Sequence, residues 1–137
     1  MTGSAAKRSP SRPGTKWRPR IGLIAIKRAY DPPVATDGLR ILVDRLWPRG
    51  VSKAKLKLDA WPRALSPSTE LRKWYGHDPQ RFAEFRRRYQ AELAEHKADL
   101  AALRASIKGR RATLITATRE LALSHAVVLR EMLGRKR

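Results

Sequence analysis

Three short apolar runs rich in β-branched residues constrain the fold of this chain more than any other feature. They span residues 21–28, 39–44 or 45, and 112–118. Each run is bounded by proline, glycine or polar residues, which predicts buried strands. The long segment between the second and third runs has helical spacing. Strands separated by helices favour an α/β fold, with a short, at least partly parallel sheet in a small layered domain, flanked by helices of which one is long.

Capping residues predict where the helices begin and end. Ser66 or Ser68 is expected to cap a helix that ends at Gly76, and a final helix is expected over residues 121–133. Asp78-Pro79 is expected to begin the longest helix, which ends before Gly109. A single helical turn is expected near residues 58–61. Along the longest helix, large side chains recur every three or four positions, at Phe82, Phe85, Tyr89, Leu93, His96, Leu100, Leu103 and Ile107.

The chain has 137 residues, which suits a single α/β domain over residues 21–134. Residues 1–20 carry basic, proline and serine residues without acids and are predicted to be a disordered basic arm. Residues 135–137 form a basic tail. The net charge is +19, and a field of that sign attracts polyanions such as nucleic acid. The four tryptophans interleave with basic residues, and Trp47 fits a core position less well than Trp61 and Trp74.

Several residue types and motifs are absent from the sequence, which narrows the range of possible functions. There is no cysteine, which removes thiol catalysis and thiolate metal sites and favours a cytoplasmic location. Apolar runs of about ten residues are too short to cross a membrane. No glycine-rich nucleotide motif is present, so no cofactor is expected. His77, His96 and His125 lack the spacing of metal ligands, so no metal site is expected.

Polar side chains gather where the predicted strands end. Arg45, Trp47 and Arg49 follow the second strand, and Arg119 follows the third. If those strands are parallel, these residues meet at one edge of the sheet, where α/β proteins bind ligands. Arg28 and Tyr30 join them if the first strand runs the same way. Guanidinium groups suit phosphate, sulfate or carboxylate, which predicts an anion-binding pocket. The alternative is that Arg45 pairs with Asp31, Asp37 or Asp44 and only fastens loops.

Three residues are candidates for moving a proton. His77 stands beside Asp78, Asp44 follows the second strand, and His125 begins the predicted final helix near the same edge. The alternative is that Asp78 is only a helix cap and His77 a loop residue. Ser124 next to His125 does not form a serine-hydrolase motif. The sequence therefore leaves open whether this chain is an enzyme.

One family resemblance covers about residues 22–133. It rests on residues 27–31, on residues 37–53 with their DRLWPRG run, and on scattered positions further along: Trp61, Ser66, Pro67, Ser68, Glu70, Leu71, Arg72, Lys73, Trp74, Phe85, Tyr89, Glu92, Leu93, Thr113, Leu114, His125 and Ala126. With these residues the chain resembles the domain-of-unknown-function 488 family, in its YeaO-like bacterial group.

The resemblance implies a small cytoplasmic α/β domain whose activity is not established, although members are sometimes labelled transcriptional regulators. It makes Arg28, Tyr30, Asp44, Arg45, Trp47, Arg49, Ser68 and Arg72 motif residues without assigning roles. More distant members carry a cysteine and a Cys-His-Arg run after the last strand. This chain has no thiol there, and it has Ser124 where close relatives typically have asparagine. Cysteine-based activity is therefore not expected.

Three functions remain open after these observations. The first is a small-molecule pocket in which Arg45 and Arg49 hold an anionic group, assisted by Arg28 and Arg119. The second is a basic nucleic-acid-associated protein, a possible regulator without catalysis. It would bind phosphates non-specifically through the arm, through Lys53, Lys55 and Lys57, and through the arginines of the longest helix, Arg86, Arg87 and Arg88. A protein–protein module is a third option. Neither an oligomeric state nor a reaction follows from the sequence.

Overall fold

A computed structural model describes residues 24–134 of the chain. The predicted basic arm, the first three residues of the predicted first strand and the basic tail lie outside these residues. The strands are β1 (Ile24–Arg28), β2 (Leu39–Leu42) and β3 (Ala112–Thr116). The helices are α1 (Lys53–Leu56), α2 (Thr69–Tyr75), α3 (Phe82–Ala94), α4 (Lys97–Ile107) and α5 (His125–Gly134). Single 3₁₀ turns occupy Ala35–Asp37, Arg63–Leu65, Pro79–Arg81 and Leu121–Leu123.

The three strands form a parallel sheet in the order β1-β3-β2. Ile26 of β1 and Ile41 of β2 both lie opposite Leu114 of the central strand. The predicted α/β class and the parallel pairing are therefore confirmed. Because all three strands run the same way, their carboxyl ends meet at one edge of the sheet.

Both faces of the sheet are covered. On one face, Ile41, Val43 and Leu114 pack against the buried sides of α2, α3, α4 and α5. On the other face, Leu42 and Ile115 pack against Leu56 of α1. Four partly buried side chains complete this second cluster, namely Trp47, Val51, Leu58 and Trp61. Parallel sheets are usually buried on both faces, which explains why β3 is buried at every position.

The long predicted helix is divided in two. Its apolar spacing continues across the break, yet α3 ends at Ala94 and α4 begins at Lys97. His96 has φ −117° and ψ 46°, outside the helical region, and its side chain is 43% exposed. Leu93 and Leu100, on either side of the turn, both enter the same core. Of the two roles expected for His96 on this stripe, packed or boundary, the structure shows the boundary position.

Several other predicted boundaries differ from the structure. β2 ends at Leu42 and not at residue 44 or 45, and β3 ends at Thr116 and not at residue 118. The helix expected to begin at Asp78-Pro79 begins at Phe82, after a 3₁₀ turn. The helical turn expected near residues 58–61 lies earlier, at α1, where the Ser52 hydroxyl accepts a hydrogen bond from the Lys55 amide. Residues 59 and 60 instead bond to β2, since their amides donate to the Arg40 carbonyl. The last helix begins at His125, after a 3₁₀ turn, and not at residue 121.

Candidate functional site

Asp44 is held where β2 ends. Its Oδ1 accepts hydrogen bonds from the Thr116 hydroxyl at 2.7 Å and lies 3.0 Å from His125 Nε2. Its Oδ2 accepts a bond from the Ala117 amide at 2.8 Å. Burial raises the pKa of Asp44, but the bond and charge of His125, with the Ala117 and Thr116 bonds, outweigh it. The pKa therefore lies below the ordinary 3.8, and the carboxylate joins β2 to β3 and α5.

His125 is the first residue of α5 and is largely buried. Its Nε2 lies 3.0 Å from both the Asp44 carboxylate and the Val43 carbonyl. Because both partners are acceptors, Nε2 carries the proton and donates it. The edge of the ring packs on Tyr89, with ring centroids 6.2 Å apart. These contacts fix the orientation of the imidazole ring.

The segment after Asp44 is fastened by backbone carbonyls. Arg45 donates to the Pro67 carbonyl at 3.3 and 3.4 Å, and Trp47 Nε1 donates to the Val51 carbonyl at 2.5 Å. The Tyr30 hydroxyl donates to the Arg49 carbonyl at 3.3 Å. Arg45 does not pair with Asp31, Asp37 or Asp44, so the alternative in which it ties loops together through those acids is wrong.

A cleft of about 640 Å³ opens above these contacts, at the carboxyl ends of the strands. Its volume is in the range of sites for small ligands. Tyr75 and Phe85 line it, stacked with centroids 4.3 Å apart, and the Tyr75 hydroxyl donates to the Leu123 carbonyl at 2.6 Å. The cleft therefore has apolar walls beside the fixed Asp44 carboxylate.

Five cationic side chains line the cleft. They are Arg45, Arg49, Arg72, Lys73 and Arg119, against the two acids Asp44 and Glu120. Within residues 24–134, none of the five forms an ion pair with a carboxylate. The five cations outnumber the two acids, so the cleft has a net positive charge, and the Asp44 carboxylate already accepts hydrogen bonds on both oxygens.

The structure brings most of the predicted anion-binding residues to this cleft. Tyr30, Arg45, Trp47, Arg49 and Arg119 all line it. Arg28 does not line it. The Arg28 guanidinium lies 5.2 Å from the centre of the Tyr30 ring, and no hydrogen-bond partner for its buried Nε lies among the described residues. Trp47 also covers the second face of the sheet, edge-on to Trp61 at 5.4 Å, which gives it a structural role.

The three candidates for proton transfer also line the cleft, namely Asp44, His77 and His125. His77 and Asp78 are not joined by a hydrogen bond in the described structure. Asp78 instead caps the next turn, where it accepts a bond from the Gln80 amide at 3.0 Å, as its capping role predicted. His77 has φ 59°, a left-handed conformation that a residue with a side chain rarely adopts.

Arg72 and Lys73 were missed as cationic lining residues. The resemblance marked Arg72 as a motif residue but gave it no role. Both lie on α2, which is capped by Ser68, and the Glu92 carboxylate of α3 accepts bonds from the Ser68 amide and hydroxyl at 2.9 and 2.6 Å. This contact places α2 beside the cleft. It joins residues 24 positions apart, which helical spacing alone does not predict.

Two kinds of site are not found in the described residues. No group of three or more His, Asp and Glu side chains is placed to hold a metal ion. No helix between residues 24 and 134 combines the length and hydropathy needed to cross a membrane.

Residues 23–136 match the profile of a family described as the inactive DUF488-N3 subclade, DUF488-N3i. The chain is similar to YeaO of Escherichia coli K12, an uncharacterised protein, with 44% identity over 110 residues, 80% of this chain and 96% of YeaO. Uncharacterised proteins of Mycobacterium tuberculosis and Mycobacterium bovis are 46% identical over 112 residues, 81% of this chain and 93% of theirs. The resemblance inferred from sequence is confirmed. No solved structure gives a significant match.

Proposed function

This chain belongs to the DUF488-N3i family, and we propose that it binds a small anionic molecule in the cleft at the carboxyl ends of its strands. The observation that carries the proposal is the set of five cationic lining residues without carboxylate partners among the described residues. Arginine side chains favour phosphate, sulfate or carboxylate because their donors match paired oxygens. A cytoplasmic location belongs to the proposal, supported by the absence of cysteine.

Binding without catalysis is the form of this proposal that the cleft supports best. Both Asp44 oxygens already accept hydrogen bonds, and the lowered pKa makes the carboxylate a weak base. The Nε2 of His125 is engaged by Asp44 and Val43. The family description as inactive agrees with this interpretation. Asp44 and His125 are thus assigned to the floor of the cleft and not to proton transfer.

Calorimetry with inorganic phosphate and sulfate tests the proposal. Arg49 and Arg119 are exposed, and no side-chain hydrogen bond or ion pair of either occurs among the described residues, so Arg49→Gln and Arg119→Gln are expected to fold normally. Each is expected to weaken phosphate binding about tenfold because one charged contact is lost. Arg110→Gln is the matched control, since Arg110 is exposed and precedes β3 at the opposite edge.

The proposal fails if the wild type binds neither anion at millimolar concentration. It also fails if Arg110→Gln weakens binding as much as Arg49→Gln and Arg119→Gln do, because attraction would then follow net charge and not the cleft.

Non-specific nucleic-acid binding is the second candidate, favoured by the +19 charge and by exposed Lys53, Lys55 and Lys57. Against it, the arginines of α3 are engaged, since Arg86 pairs with Glu131, and Arg87 and Arg88 pair with Glu84. Duplex DNA affinity that falls steeply with salt, and that drops when the three lysines are changed to glutamine, would support this candidate. Affinity that is insensitive to salt would exclude it.

A further inference from the structure

An apolar lip, formed by Tyr30, Leu46, Trp47 and Pro48, borders the mouth of the cleft beside its cations. Tyr30, Val34 and Leu46 are the exposed large hydrophobic residues of the described chain, at 48%, 51% and 67% exposure. Two of the three, Tyr30 and Leu46, line the cleft, together with Trp47 and the buried Pro48. A ligand that carried only charge would leave this surface in water, whereas an apolar group would cover it.

The Tyr30 ring is held in place before any ligand arrives. Its hydroxyl donates to the Arg49 carbonyl at 3.3 Å, across the gap between the segments that follow β1 and β2. The Arg28 guanidinium lies 5.2 Å from the ring centre, and Arg28 is not a lining residue. A ring fixed in this way loses little conformational freedom when a ligand stacks on it.

Cations and the lip share one cleft. Arg49 immediately follows Pro48, and its carbonyl receives the Tyr30 hydroxyl, so charge and apolar surface lie within one segment. Arg72 and Arg119 line the same cleft from α2 and from the segment after β3. A ligand suited to both surfaces carries an anionic group and a flat apolar group on one small framework.

We infer that the cleft takes a small aryl phosphate or aryl carboxylate, with its anionic group on the arginines and its ring against Tyr30 and Leu46. This inference rests on the proposed anion-binding function and deepens it. The ring supplies selectivity, because inorganic phosphate satisfies the cations but does not cover the lip. Tyr30 is thus a specificity-determining residue and not a charge contact.

The test compares phenyl phosphate with methyl phosphate, which carries the same ester group without a ring. Calorimetry of the wild type is expected to give about tenfold tighter binding of phenyl phosphate. Tyr30→Phe keeps the ring but loses the hydroxyl bond to Arg49, so it is expected to retain most of this preference. Tyr30→Ala is expected to lower the ratio of the two affinities towards one, because phenyl phosphate loses its ring contact and methyl phosphate has none to lose. Val34→Ala is the matched control, because Val34 is exposed but does not line the cleft.

The outcomes separate the two proposals. Equal binding of both esters by the wild type overturns the aryl inference and leaves the anion proposal standing. A phenyl preference that survives Tyr30→Ala overturns the assignment to Tyr30. Binding of neither ester overturns the aryl inference, and the anion-binding function falls with it only if inorganic phosphate and sulfate also fail to bind.

Discussion

The Asp44 side chain holds together the segments that form the floor of the cleft. Sequence alone offered it as a proton carrier or as a partner of Arg45. It is instead bound by the Thr116 hydroxyl, the Ala117 amide and His125, which come from positions more than 70 residues away along the chain. A carboxylate with donors on both oxygens fastens strand ends and favours the ionised state. Its contribution therefore lies in stability and in positioning His125.

Replacing Asp44 by asparagine is expected to lower the free energy of unfolding by about 2 kcal/mol at pH 7, because buried donors lose a charged acceptor. A lowered pKa means that the stabilisation is present above the ordinary value of 3.8 and is lost as the pH falls through the lower folded value. The difference between wild type and Asp44→Asn should therefore shrink below about pH 4 in urea unfolding. Asp99→Asn, at an exposed carboxylate, is the control.

A difference that stays constant from pH 7 to pH 3, or that grows as the pH falls, would contradict this role for Asp44. Loss of as much stability in Asp99→Asn would show that surface charge, and not the Asp44 contacts, sets the result.

Among the elements, β2 depends on a glycine that precedes it. Gly38 has φ 66° and ψ −136°, and a Cβ there would lie 2.1 Å from the Arg111 carbonyl oxygen. The Leu39 amide donates to that same carbonyl at 2.9 Å, and this bond begins the pairing of β2 with β3. The close approach of two backbones thus sets the register that places Asp44 beside Thr116.

Gly38→Ala is expected to lower the free energy of unfolding by at least about 2 kcal/mol, because the side chain meets backbone in a region that only glycine adopts readily. Gly109→Ala is the matched control. Gly109 also has a positive φ of 71°, but no atom lies within 4 Å of its added Cβ, so a cost of about 1 kcal/mol is expected. Equal losses in urea unfolding would refute the role of the Arg111 contact.

Short sequence patterns predicted which helices and strands form better than they predicted where these begin and end. Residue chemistry predicted the three strands, the caps Ser68 and Asp78, and the helix-ending glycines Gly76 and Gly109, and all of these are present. The break at His96 was not predicted, because the apolar spacing continues unaltered across the turn. One long helix and two shorter ones carry the same apolar spacing, so this local pattern does not place the break, which the structure has at His96.

At the scale of the whole molecule, the position of the cleft could be predicted from the sequence once the strands were assumed to be parallel. Parallel strands bring their carboxyl ends together, so Arg45, Arg49 and Arg119 could be grouped before the sheet was seen. Arg72 and Lys73 could not, because the packing of α2 depends on the Ser68 and Glu92 contact between distant residues. The net charge of +19 describes the molecule as a whole and does not distinguish the cleft from other basic surfaces.

The most direct test of the central claim is an NMR titration of the isotope-labelled chain with inorganic phosphate. We predict saturable shifts concentrated at the amides of Tyr30, Arg49 and residues 117–120, around the cleft. Amides of α1 and of residues 109–111 should move little, since α1 packs on the second face and the latter precede β3. Shifts spread over Lys53, Lys55 and Lys57, or no saturable shift at the cleft with millimolar phosphate, would contradict an anion site at the carboxyl ends of the strands.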